Sequence, residues 1–275
     1  MRIRAMSTVY SAPRPETALP AQVGRVARLF ALLLQMWLAA RLAAPQLGEA
    51  QRARLMRYWA RRFLRTLGVE VQVRGTPPRR DEPTLMVANH VSWLDTYAVH
   101  TVEAARFVAK SEVATWPIIG IIAQRFGTVF IQRRSCRAAA RTVGALAQLL
   151  CQGRSVAVFP EATTSDGRGL LPFYPAMFQS AVLTGARVQP VAMRYRDDNG
   201  APTELANFVG EMSVLDSLRN ILAAPRLMVE VVFCAPIDPN GMTRRELAAA
   251  SRGAIAVALG VELAAPEDRP LPRAA

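Results

Sequence analysis

From residue 84 onward the chain repeats one alternation, a short apolar run followed by a longer stretch with helical spacing, and this restricts the fold more than any other feature. The apolar runs cover 84–88, 106–109, 128–132, 155–159, 188–195 and 227–233. The stretches 92–101, 113–126, 136–151 and 174–183 between them, and 243–259 after the last, carry helical patterning. Runs this short are strand length, and strands that alternate with helices need crossover connections, which favour a parallel sheet covered by helices. The expected fold is therefore α/β, with a mostly parallel or mixed central sheet flanked by helices. In such sheets ligands bind at the carboxyl ends of strands. Pro190 interrupts the 188–195 run and predicts an edge strand or a bend there.

The segment before this domain has a different texture. Of the formal charge of +13, +12 falls in residues 1–80, which hold fifteen arginines and three acidic residues. Such asymmetry suits an anionic surface. Residues 29–40 form an unbroken run of twelve residues with Gln35 as the sole polar member, bounded by Arg25, Arg28 and Arg41. A spanning helix needs about 20 apolar residues, so a helix embedded in one leaflet is expected, with a single span as the alternative. Over 51–67, Leu55, Trp59, Phe63 and Leu67 recur every fourth residue beside Met56, while Arg54, Arg57, Arg61 and Arg65 trace a second stripe. That pattern suits an interfacial membrane helix, or an ordinary core helix with a solvated arginine face. No nucleic-acid motif accompanies the charge, so nucleic acid is not an expected partner. Residues 1–22 and 264–275 read as tails, 23–68 as a membrane-associated helical segment, and 69–263 as the α/β domain. The late start of the apolar run argues against a secretory signal. Cys136, Cys151 and Cys234 show neither disulfide nor metal-ligand spacing and are expected as small buried residues. With two histidines and no cysteine cluster, no metal is expected.

The chemistry concentrates at three strand ends. Asn89 and His90 follow the first run, with Ser92 and Asp95 just behind. A carboxylate five positions after a histidine, at a helix start, can fold back on the imidazole, fix its tautomer and stabilise the imidazolium formed when it takes a proton. His100 has no comparable partner. Arg133 stands past the third run, with Arg134, Arg137 and Arg141 behind it, and can grip a phosphate through two nitrogens. Phe159, Pro160, Glu161, Ala162, Thr163, Thr164, Ser165, Asp166 and Gly167 stand at the end of the fourth run and form a polar loop able to bind hydroxyls.

Taken in order and spacing, residues 84–194 resemble the glycerolipid acyltransferases typified by 1-acylglycerol-3-phosphate acyltransferase. The resemblance rests on the Asn-His-x-Ser-x-x-Asp block at 89–95, the segment with Lys110, Glu112, Pro117 and Gly120, the block 127–133 ending in Arg133, the Phe-Pro-Glu block at 159–164, and the Pro190 strand. It implies His90 as general base and Asp95 as its orienter. It also implies that Asn89, Ser92, Lys110, Arg133, Phe159, Pro160, Glu161, Thr163 and Thr164 form the substrate-binding set. The implied donor is acyl-CoA or an acyl-carrier protein, the acceptor a lyso-lipid, with no cofactor. The implied location is the cytoplasmic face of the inner membrane, against an anionic lipid surface. Two positions depart from the family pattern: Ala162 replaces its glycine and Thr164 its arginine. The second removes one candidate phosphate contact and brings a lyso-ornithine lipid forward as an alternative acceptor to lysophosphatidic acid. A serine hydrolase lacks support, because no Gly-x-Ser-x-Gly elbow is present. A lipid-binding protein with a relict site would have no reason to keep both His90 and Asp95.

Overall fold

A computed structural model describes residues 17–116, 118–131 and 136–263, without the side chains of Lys110, Cys136 and Arg137. The proposed tails before residue 17 and after residue 263 lie outside the described residues, as do Pro117, Arg133 and Arg134. Two helices come first, α1 (Leu19–Leu38) and α2 (Glu49–Leu67), followed by β1 (Val69–Gly75), β2 (Thr84–Ala88), α3 (Asp95–His100) and β3 (Arg106–Lys110). Then come α4 (Ile119–Arg125), β4 (Val129–Ile131), α5 (Cys136–Cys151), β5 (Val156–Val158) and α6 (Gln179–Thr184). The chain closes with β6 (Arg187–Arg196), α7 (Val214–Ala223), β7 (Leu227–Phe233) and α8 (Arg244–Leu259).

The seven strands form one sheet in the order β1-β7-β6-β2-β5-β3-β4. Every neighbouring pair is parallel except β6 with β7. Strand alternation divides the core. Met86 and Ala88 of β2 face one layer with α1, α2, α3 and α7, whereas Leu85 and Val87 face the other layer with α5, α6 and α8. The expected α/β sheet is present, mixed rather than purely parallel.

Pro190 sits in a central strand, between β2 and β7, and not at an edge. The reason is local. Cys234 donates its N–H to the Pro190 carbonyl, and an antiparallel pair would return an N–H from residue 190 that proline lacks. The Gln189 side chain supplies that donor instead, with Nε2 2.5 Å from the Cys234 carbonyl.

The N-terminal helices differ from expectation in two ways. The helix begins at Leu19, with Pro20 in its first turn where a missing N–H does no harm. It continues through a π turn and a 3-10 turn to Gln46, giving one helix long and apolar enough, by length and composition, to cross a membrane. Second, the apolar stripe of α2 does not face outward. Met56, Trp59, Phe63, Leu64 and Leu67 are buried in the same core layer as Leu29, Leu32 and Met36 of α1 and the sheet residues Met86, Val229 and Val231. The 23–68 segment thus shares a core with the sheet. What remains outside is the arginine face of α2, on which Arg61 is held by the Thr101 carbonyl, and a row formed by Leu19, Val23, Phe30, Leu34 and Leu38 of α1 with Leu42 of the π turn.

Smaller differences have plain causes. The stretch 113–126 is a 3-10 turn at Ser111–Thr115 followed by α4, split around Pro117 in the sequence. Cys151 is exposed, because it is the last residue of α5, and Cys234 is half-buried. At Gly127 (φ 80°) a side chain would collide with the guanidinium of Arg106. That guanidinium is held by the Phe126 carbonyl and by Glu49 at the start of α2.

Candidate active site

The site forms where β2 ends. Asn89 locks the end of the strand: its Nδ2 donates to the Met193 carbonyl at 3.0 Å, and its Oδ1 accepts the Met193 N–H at 2.7 Å. The side chain thereby adds one rung to the β2–β6 pairing. It is 1% exposed, and both ends of its amide are occupied by backbone.

His90 comes next and α3 begins at Asp95. Asp95 Oδ2 lies 2.8 Å from His90 Nδ1. The same oxygen accepts the N–H groups of Val91 (2.8 Å) and Ser92 (2.9 Å), the unpaired donors that precede a helix. The carboxylate is fully buried. With an acceptor-only carboxylate on Nδ1, the neutral imidazole carries its proton there, which leaves Nε2 with a free lone pair. The Nε2 side has no hydrogen bond among the described residues, and His90 is partly exposed. Tyr195 of β6 donates its hydroxyl to the other oxygen, Asp95 Oδ1, at 2.7 Å.

The loop after β5 closes over His90. The Phe159 ring stacks on the imidazole, centroids 3.9 Å apart and planes 8° from parallel. Glu161 Oε1 accepts the His90 N–H at 3.2 Å, and the Ser165 N–H donates to the His90 carbonyl at 2.7 Å. The histidine backbone is thus held on both sides by one loop. Phe208, beyond β6, donates its N–H to the Val91 carbonyl and accepts the Thr164 hydroxyl on its own carbonyl. Asn207 reaches the Asp166 carbonyl from the same segment.

These contacts sort the candidate residues. His90, Asp95, Phe159 and Glu161 come together. Ser92 is buried, its hydroxyl accepting the Leu94 N–H at 3.3 Å. Pro160 is buried, with its carbonyl on the Tyr174 N–H, and Thr163 is exposed. The Thr164 hydroxyl holds the Phe208 segment. Arg133 and the Lys110 side chain fall outside the described residues. Glu161 is 2% exposed, and its Oε2 has no hydrogen-bond partner. Burial pushes its carboxyl up to about 8, partly opposed by the N–H groups it faces, so it is protonated at neutral pH. His100 lies at the other end of α3, and burial pushes its imidazole down to about 4. It stays neutral at physiological pH, with one nitrogen near the Glu103 carbonyl. Tyr195 and the 207–208 segment were not singled out from sequence. A tyrosine inside an apolar strand signals a hydroxyl in need of a partner, but nothing in the sequence says which.

The matches to known proteins agree with one another. The family model described as Acyltransferase matches residues 70–194. The lyso-ornithine lipid O-acyltransferase of Pseudomonas aeruginosa is 38% identical over 242 residues, covering 86% of this chain and 92% of that protein. The 1-acyl-sn-glycerol-3-phosphate acyltransferase of Neisseria gonorrhoeae is 39% identical over 175 residues, covering 64% of this chain and 68% of its own. The crystal structure of PlsC, the 1-acyl-sn-glycerophosphate acyltransferase of Thermotoga maritima, superposes with a TM-score of 0.63 at 21% identity, over 86% of this chain and 96% of that one. That last likeness concerns the fold.

Proposed function

The chain belongs to the acyltransferase family, and on that premise we propose that it transfers a fatty acyl group from acyl-CoA or acyl-carrier protein to the free hydroxyl of a lyso-lipid, with His90 as general base. The observation that carries this reading is the 2.8 Å contact between His90 Nδ1 and Asp95 Oδ2, which leaves Nε2 available to a substrate hydroxyl. The acceptor hydroxyl donates to Nε2. As its oxygen attacks the thioester carbonyl, the proton passes to His90. The buried Asp95 charge stabilises the imidazolium, and the stacked Phe159 ring holds the imidazole plane in place. Collapse of the tetrahedral intermediate expels the donor thiolate, which takes the proton back from His90. The cycle uses no enzyme nucleophile, metal or cofactor.

Two head groups compete, a glycerol phosphate and an ornithine. The second is favoured by a specific observation. The position where the family pattern carries an arginine holds Thr164, whose hydroxyl is engaged by Phe208, so it offers a phosphate neither charge nor a free donor. The lyso-ornithine lipid relative also matches over far more of both chains than the lysophosphatidate one. We therefore take lyso-ornithine lipid as the preferred acceptor and lysophosphatidic acid as the alternative.

The enzyme works from the cytoplasmic face of the membrane. The outer row of α1 enters the lipid, and Arg54, Arg57, Arg61 and Arg65 contact anionic head groups. Attachment along one leaflet is supported over a span, because Leu29, Leu32, Met36 and Ala40 pack α1 lengthwise against the domain.

The test is transfer of labelled acyl chains from acyl-CoA and acyl-carrier protein to a panel of lyso-lipids. Wild type is expected to acylate lyso-ornithine lipid faster than lysophosphatidic acid, His90→Ala to be inactive, and Asp95→Asn to be slower by several orders of magnitude. Release of free fatty acid alone would point to a hydrolase, and robust transfer by His90→Ala would remove the base.

A further inference from the structure

Tyr195 stands near the end of β6, 2% exposed, in the apolar layer with Met193, Val191 and Leu94. A phenylalanine would fill that volume equally well, so packing alone does not call for the hydroxyl. The hydroxyl donates to Asp95 Oδ1 at 2.7 Å. The three donors on the other oxygen, from His90, Val91 and Ser92, leave Oδ1 to Tyr195 among the described residues. Asp95 is 0% exposed, so water does not reach that oxygen in its place.

We propose that Tyr195 is a positioning residue of the acyl-transfer site: by occupying the Asp95 oxygen that His90 leaves free, it fixes the carboxylate plane against the imidazole and limits how strongly Asp95 stabilises the imidazolium formed when Nε2 accepts a proton. The inference rests on His90 being the base. A donor on Oδ1 draws electron density from the carboxylate and weakens its pull on the Nδ1 proton. Removing that donor makes Asp95 a stronger partner for imidazolium, so His90 retains a proton to higher pH. The phenol does not surrender its own proton, since burial and the Asp95 charge raise it well above the usual tyrosine range. The other titratable group facing the pair among the described residues is Glu161, from the loop after β5, with Arg252 of α8 behind it. Burial holds the Glu161 carboxyl well above the ordinary carboxylate range.

The experiment compares wild type, Tyr195→Phe and a protein with 3-fluorotyrosine at 195, a stronger donor of nearly the same shape. Two readouts are taken against pH: kcat/KM for acyl transfer, and the rate at which diethyl pyrocarbonate modifies the His90 peptide, read by mass spectrometry. The second needs no turnover, so it tests Tyr195 even if the acyl-transfer reading fails. Tyr195→Phe is expected to raise both acid-side midpoints by about one pH unit, with a rate deficit of roughly tenfold that is confined to low pH. Fluorotyrosine is expected to lower both midpoints. A uniform loss at every pH with unchanged midpoints would make Tyr195 a packing residue and overturn the proposal. If Tyr195→Phe does not fold, wild-type midpoints in the fluorotyrosine protein overturn it equally.

Discussion

Replacing Glu161 by glutamine should change the protein's stability by an amount that depends on pH in a calculable way. In the folded state burial raises the carboxyl to about 8, against an ordinary value of 4.5. The sign follows directly. Below pH 4.5 both folded and unfolded chains carry the proton, and Glu161 imposes no penalty. Between 4.5 and 8 the unfolded chain has released the proton while the folded one retains it, so each pH unit lowers stability by about 1.4 kcal/mol. At pH 7 the accumulated loss is about 3 kcal/mol, and at pH 5 it is below about 1 kcal/mol. Glutamine keeps an oxygen for the His90 N–H and never ionises. Its amide nitrogen meets the Leu171 N–H that faces the carboxyl, a cost that is the same at every pH. The stability of the Glu161→Gln protein relative to wild type should therefore be about 2.5 kcal/mol higher at pH 7 than at pH 5. Guanidinium unfolding in detergent, followed by tryptophan fluorescence at both pH values, measures the two differences. Other titrating groups are common to both proteins and cancel. An equal difference at pH 5 and pH 7, or a variant weakened specifically at pH 7, would mean that Glu161 is ionised in the folded protein and that burial does not hold its proton.

Ala162 has φ 60°, the one non-glycine residue with positive φ among those described. Ala162→Gly should raise stability by about 1 kcal/mol, and an unchanged unfolding midpoint would show that the loop relaxes without strain. Changing Arg54, Arg57, Arg61 and Arg65 together to glutamine should reduce binding to anionic vesicles, most at low salt, and leave binding to neutral vesicles nearly unchanged. Equal binding of variant and wild type to anionic vesicles in a flotation assay would contradict that role for the arginine face.

The sheet was legible in the sequence because most strands are short apolar runs with polar turns at their ends. Strand β1 was harder to identify: Val69, Val71 and Val73 alternate with polar residues over one weakly apolar run, and its pairing with β7 is set by residues some 160 positions away. The reversal at β6 and β7 was hidden for a similar reason, since strand direction is a property of the connection and leaves no mark on the strand. Pro190 misled because the donor that replaces its N–H belongs to the side chain of Gln189. The stripe on α2 was visible, but periodicity reports that a face is apolar and not what covers it. Within the site, the His90–Asp95 pair could be read because it is local, five residues apart on one turn. Glu161 and Tyr195 reach the pair from positions 71 and 100 residues distant, and their roles depend on burial that no local pattern encodes.

The double hold on His90 bears on how such an enzyme diversifies. The loop that carries Glu161 and Ser165 grips the histidine backbone on both sides, and through Thr164 it is also fastened to the Phe208 segment. Retuning head-group choice by exchanging this loop with that of a relative would therefore carry the aim of the imidazole along with it. Chimeras that graft the loop alone should show altered selectivity and reduced turnover together. Those that move residues 159–169 with 203–208 as one block should preserve the rate, because the hold on His90 travels with both segments and with neither alone.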